Sequence, residues 1–193
     1  MKRQTRTISM KDFQTREDGE ELLIEGYFAT FDKPYYYDFE DSRNYFETIA
    51  PGAFDLEKDK DVRALVNHDT RLVLGRTTNG TLELRQDEVG LWGRIHVNPK
   101  DGEAVNAYER VKRGDVTQCS FGFDIIEQIT ENLTEGGFHW TITKVRLYEV
   151  SVVTFPAYED TFVEARSKEL AQMRELELWR ARIKERLGVQ SGN

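Results

Sequence analysis

Cys119-Ser120-Phe121-Gly122-Phe123-Asp124-Ile125 reads as a β-strand, because its apolar residues alternate with others. A side-chain period of two puts Phe121, Phe123 and Ile125 on one face, with Ser120, Gly122 and Asp124 on the other. A serine opposite an aromatic wall, with glycine two positions on, has space for a second backbone to come close. Most serines in strands are half-exposed surface residues, so the spacing alone assigns Ser120 no chemistry. The run opens after Arg113-Gly114-Asp115 and continues to about residue 130. A second long strand is expected over 138–155, joined to the first through Glu135-Gly136-Gly137 and broken near Thr143-Lys144.

Working outward, further strands are expected at 3–10 and 21–31, forming a hairpin through the polar turn at 16–20. Residues 34–44, with Tyr35, Tyr36, Tyr37 and Phe39, follow neither period and read as a loop. Pro51-Gly52 punctuates the next segment. Asp61-Val62-Arg63-Ala64-Leu65-Val66 reads as a short apolar strand ending on Asn67-His68-Asp69. Asn79-Gly80 is a strong two-residue hairpin signal and predicts pairing of 73–77 with 81–85. Leu91, Gly93, Ile95 and Val97 alternate with Trp92, Arg94 and His96 in another strand. Ala104, Val105, Ala107, Tyr108 and Val111 recur at helical spacing, with Asp101 as N-cap and Gly114 as the stop.

Leu170, Met173, Leu176, Trp179, Ile183 and Leu187 recur at three- and four-residue steps among charges, which predicts an amphipathic C-terminal helix. The expected division is a β-barrel domain over 1–165 and a helical tail over 166–193. The fold class is thus mainly β, with strands at short spacing and one helix in the body, a closed or nearly closed barrel.

Composition narrows the function. The 193 residues suffice for one domain with an appendage, and no apolar run is long enough to span a bilayer. The basic N-terminus lacks the apolar segment of a secretory signal. A single cysteine excludes an intrachain disulfide and a multi-cysteine zinc site, and suits a reducing compartment. The formal charge is −8; residues 166–193 carry seven Lys/Arg against four Asp/Glu, net +3, leaving −11 on 1–165. An acidic body argues against general nucleic-acid binding.

Three side chains invite a chemical reading. His68, at the end of a rigid strand, can serve as general base for a hydroxyl, or simply be structural. Glu149 shares a strand face by parity with Val145, Leu147, Ser151, Val153 and Phe155, and a carboxylate in such company needs a partner, either an imidazole or an arginine. Ser120 is the candidate hydroxyl. Cys119 is the alternative nucleophile, but parity turns it toward the phenylalanines, where cysteine behaves as a small hydrophobe. His96 and His139 read as surface histidines, and the histidine spacing offers no local metal-ligand pair. No G-x-S-x-G elbow, phosphate loop or dinucleotide fingerprint is present.

Several motifs occur in an order that resembles a known family. They are Glu47-x-Ile49-x-Pro51-Gly52-Ala53-Phe54, Asp61-Val62-x-Ala64-Leu65-x-Asn67-His68-Asp69 and Leu74-Gly75-Arg76-Thr77. Gly80-Thr81-Leu82, Arg113-Gly114-Asp115, Ser120-Phe121-Gly122-Phe123 and Glu149-Val150-Ser151-Val152-Val153-Thr154-x-Pro156-Ala157-Tyr158 follow. Over about 22–166 the chain resembles the prohead (procapsid maturation) serine proteases of tailed bacteriophages, which are distantly related in fold to herpesvirus assembly proteases.

The resemblance implies a β-barrel surrounded by helices and a serine endopeptidase active inside the immature capsid, in the host cytoplasm. Its implied substrates are the scaffold protein or the scaffold domain of the major capsid protein, and the chain itself; self-association is compatible with it. No cofactor, metal, nucleic acid or membrane is implied. By position, the family's catalytic serine falls on Ser120, its histidine on His68, and its acidic member on Glu149, with Asp69 as the competing acid. Arg76 is either an aid to the oxyanion or half of a structural ion pair. The alternatives are a non-catalytic capsid-assembly or scaffold protein that keeps the barrel, and a non-proteolytic esterase.

Overall fold

The computed structural model describes residues 4–9, 14–18, 21–37, 44–134 and 136–155, together with eight helical positions between 172 and 183. Two compact units divide between Ala157 and Tyr158. The domain boundary expected at 165 lies outside the described residues, as do Leu170, Met173 and Leu187 of the expected tail helix. Within the second unit, Leu176, Leu178 and Trp179 are helical and exposed.

The first unit begins with β1 (Gln4–Ser9), β2 (Gln14–Asp18), β3 (Glu21–Thr30), β4 (Tyr35–Tyr37) and β5 (Asn44–Ile49). It continues with β6 (Arg63–Val66), β7 (Asp69–Arg76), β8 (Leu82–Gln86) and β9 (Gly90–Val97). Helix α1 (Gly102–Arg113) and the long strands β10 (Gln118–Asn132) and β11 (Gly137–Val153) complete it. One sheet runs β1-β10-β11-β5-β4, with β6 added to β11 and β7 to β6; the other runs β2-β3-β9-β8.

The mainly β class is observed, but the closed barrel is not: the strands form two open sheets. Each sheet turns an apolar face inward, and facing sheets bury those faces without closure. Phe121, Phe123, Val150 and Val152 of the first sheet share one core cluster with Ile24, Phe28 and Ile95 of the second. Ala104, Ala107, Tyr108 and Val111 of α1 join the same cluster. The helix is held as its sequence suggests, with Asp101 accepting from the Glu103 and Ala104 N–H groups and Gly114 closing it at φ 85°.

Long-range pairing departs from the local reading in three places. The 14–18 segment is a strand that pairs with β3, while β1 pairs with β10, so the expected first hairpin is replaced. Tyr35–Tyr37 is a strand on the edge of β5, where a loop is the local reading. Asn79-Gly80 closes a 3₁₀ turn, with Gly80 at φ 75°, and carries the chain between sheets: β7 pairs with β6, and β8 with β9.

β11 positions the site. It spans 17 residues, and its two halves take different parallel partners, 137–142 with β5 and 149–152 with β6. Opposite it, Gly122 pairs with Glu149 while Phe123 pairs with Leu147, so Tyr148 is an inserted residue, a β-bulge. The freed Leu147 N–H donates to Asp59 Oδ2 at 2.8 Å, and Tyr148 Oη donates to Asp124 Oδ2 at 2.8 Å.

Candidate active site

The bulge changes the strand parity on which Glu149 was read. Val145 and Leu147 lie in the core cluster with Val150 and Val152, because the inserted residue switches faces between 147 and 149. Glu149 and Ser151 are therefore released to the opposite face, across from Gly122 and Ser120 respectively. Ser120 does lie away from the phenylalanine wall. Its environment differs from an exposed face, however: it is 0% exposed, on a central strand between Thr7 of β1 and Ser151 of β11.

His68 reaches this face through a tight turn. Asn67 and His68 link β6 to β7 with φ 51° and 60°, and Val66 pairs with Asp69. That is the type I′ pattern with both central residues left-handed, a conformation a histidine adopts at a cost of about 1–3 kcal/mol. The turn is tied to the end of β11. Asn67 N–H donates to Val152 O at 2.9 Å, and Asn67 Oδ1 accepts Thr154 N–H at 2.8 Å.

His68 Nδ1 lies 2.7 Å from Glu149 Oε1, and Ser151 Oγ donates to Glu149 Oε2 at 2.6 Å. Ser151 Oγ also accepts the His68 backbone N–H at 3.3 Å. Glu149 is 3% exposed, so both oxygens are satisfied by these partners. A carboxylate at Nδ1 holds the Nδ1–H tautomer and leaves Nε2 as the basic nitrogen. Nε2 of His68 and Oγ of Ser120 are both buried, and neither has a hydrogen-bond partner among the described residues. Unpartnered buried polar atoms cost about 1–3 kcal/mol each.

Gly122 has a different use from the one its position suggests. A Cβ there would stand 2.2 Å from Glu149 Oε1, so the space beside Ser120 admits the Glu149 carboxylate. Asp69, the competing acid, is turned outward to Arg71, with Oδ2 to Nη2 at 2.7 Å. Arg76 pairs with Asp61 at 2.6 Å, the structural alternative of the two considered. Cys119 is buried on the core face, its thiol donates to Tyr27 O at 3.0 Å, and burial pushes its pKa up. His96 contacts Glu83 at 2.8 Å and His139 contacts Thr48 Oγ1 at 2.9 Å, both outside this cluster. Among the described residues, no cluster of His, Cys, Asp and Glu is arranged to hold a metal.

Ser151 and Asn67 join this candidate cluster, and the strand and turn patterns of the sequence do not single them out. Ser151 had a signal, since it shares a strand face with Glu149. Asn67 is held by Thr154, which is distant in sequence.

The comparisons with known proteins agree with the resemblance. The family described as caudovirus prohead serine protease matches residues 10–176. The prohead protease of Enterobacteria phage HK97 is 28% identical over 168 residues, covering 84% of this chain and 68% of the relative. Among solved structures, the bacteriophage T4 capsid assembly protease aligns with a TM-score of 0.48 at 14% identity, over 80% of this chain and 98% of that one. The family match takes in most of the chain, from β2 past the end of β11, and the chain belongs to the caudovirus prohead serine proteases.

Proposed function

We propose that the chain is a serine endopeptidase that cuts the scaffold protein, or the scaffold domain of the major capsid protein, inside the immature phage shell, and also cuts itself. The observation that carries this reading is the 2.7 Å contact of His68 Nδ1 with Glu149 Oε1, beside the sheet face that bears Ser120. Glu149 is then the acid that orients His68, and His68 Nε2 the base for the Ser120 hydroxyl.

The chemistry is acyl transfer. Ser120 Oγ bonds to the peptide carbonyl carbon as its proton passes to His68 Nε2. The C–N bond then breaks, the imidazolium returns the proton to the leaving amine, and an acyl-serine ester remains. Water then bonds to the acyl carbon as its proton passes to the same nitrogen; the C–Oγ bond breaks, the imidazolium returns that proton to Ser120 Oγ, and the carboxylic product leaves. The buried Glu149 carboxylate stabilises the imidazolium in both halves.

The test is co-expression of the chain with its capsid precursor, beside Ser120→Ala and His68→Ala, with intact-mass analysis of every product. Loss of capsid cleavage and of self-cleavage in both variants is expected. Processing that continues unchanged in both would sink the triad. A wild-type chain that enters shells without cutting anything would favour a non-catalytic assembly role.

A further inference from the structure

Ser151 touches both halves of the His68–Glu149 pair. Its hydroxyl donates to Glu149 Oε2 at 2.6 Å and accepts the His68 backbone N–H at 3.3 Å, and the residue is 0% exposed. With the Nδ1 to Oε1 contact of 2.7 Å, these bonds close a ring through residues 68, 149 and 151. A serine hydroxyl has one proton to give. Here that proton is spent on the carboxylate, while a lone pair holds the backbone of the very residue whose ring the other carboxylate oxygen holds.

We infer that Ser151 is a positioning residue for the proposed reaction. It fixes the Glu149 carboxylate and the His68 turn as one unit, so that Nε2 keeps a single direction. The inference rests on the triad reading. Three features favour it over a serine that merely fills space. The carboxylate would be free to turn about its last bond if Oε2 had no partner. His68 sits at φ 60°, a backbone conformation that needs outside support, and the Ser151 oxygen takes its N–H. Ser151 is also the register partner of Ser120, so the ring is built on the strand position directly beside the proposed nucleophile.

The full-length chain tests this with two readouts. In a Ser120→Ala background labelled with ¹⁵N-histidine, the His68 Nδ1–H signal is expected far downfield and slow to exchange. Ser151→Ala should broaden or erase it, and Ser151→Thr, which keeps the hydroxyl, should restore it. With Ser120 intact, Ser151→Ala should slow capsid-precursor processing about 10- to 100-fold, the loss of one hydrogen bond to a charged group, with Ser151→Thr recovering most of the rate. If Ser151→Ala does not fold, Ser151→Cys keeps the volume with a weak donor and takes its place.

An unchanged His68 signal together with wild-type processing in the Ala or Cys variant overturns the inference while leaving the triad intact. Processing that persists in Ser120→Ala overturns the triad, and with it any catalytic role for Ser151, even if the His68 signal depends on that hydroxyl.

Discussion

The Glu149 carboxylate lies over Gly122: a Cβ at 122 would stand 2.2 Å from Glu149 Oε1, the oxygen that contacts His68 Nδ1 at 2.7 Å. The absence of a side chain at 122 is therefore part of the site. Gly122→Ala should displace Oε1 from the imidazole, because the obstacle is the carboxylate itself and its far oxygen is already held by Ser151. Overpacking of this kind lowers stability by about 1–3 kcal/mol, and misplacement of a catalytic group by about 1 Å can cost about 100-fold in rate. Denaturant unfolding and capsid-precursor processing, measured on the same variant, check both effects. A destabilised variant with wild-type processing would show that the His68–Glu149 contact is not used.

The competing acid makes the opposite prediction. Asp69 is bonded to Arg71 through its side chain and backbone, and this holds its carboxyl down at about 2, against the ordinary 3.8. A depressed carboxyl stabilises the fold above its unfolded pKa, and that contribution disappears as pH falls from about 4 toward about 2. The pair is exposed, so the contribution is small and salt-screened. Asp69→Asn should be slightly less stable than the parent at about pH 5, and the gap should close by about pH 2 and shrink in high salt. Processing at neutral pH should stay within about twofold, whereas Glu149→Gln should abolish it. Loss of processing in Asp69→Asn with retention in Glu149→Gln would reverse the assignment of the acid.

Cys119 adjoins Ser120 in sequence but faces the other way. Its thiol is buried, donates to Tyr27 O at 3.0 Å, and is pushed up in pKa by desolvation, so little thiolate forms. The folded chain should resist iodoacetamide, while the unfolded chain should take a single adduct at its only cysteine. Cys119→Ala should lose about 1 kcal/mol of stability through the small void and keep its processing activity. Rapid alkylation of the folded chain with loss of processing would instead make Cys119 a candidate nucleophile.

How much of this was legible follows from which interactions are local. The caps of α1, the β10–β11 hairpin and the face that carries Ser120 depend on residues within a few positions of one another, and period and turn chemistry report them. The β1–β10 ladder and the parallel β6–β11 pairing join segments about a hundred residues apart, and no local pattern encodes them. Parity along 145–153 failed because one inserted residue, Tyr148, exchanges the faces, and the partners that stabilise it, Asp59 and Asp124, are distant in sequence. Asn79-Gly80 carries a strong hairpin signal, yet Thr81 bonds back to Asn79 at 2.7 Å and to the Arg76 N–H at 2.9 Å, making a corner between sheets. His68 was legible as a strand-end residue. Its left-handed backbone was not, because Asn-His hides a turn usually written Asn-Gly.

That turn yields the last prediction. Asn67 holds φ 51°, a left-handed conformation that asparagine tolerates better than most residues. Its side chain accepts Thr154 N–H at 2.8 Å and donates to Thr154 Oγ1 at 3.3 Å, clamping the His68 turn to the end of β11. Asn67→Ala loses both bonds and meets the Cβ penalty of about 1–2 kcal/mol. Asn67→Gly loses the same bonds but relaxes the backbone. If the clamp positions His68, both variants should process capsid precursor more slowly than the parent, although only Asn67→Ala should be clearly destabilised in denaturant unfolding. Asn67→Asp, which keeps the acceptor for Thr154 N–H, should retain most of the rate. Full processing in Asn67→Gly would show that backbone conformation alone directs His68, and that the Thr154 clamp serves stability and not the site.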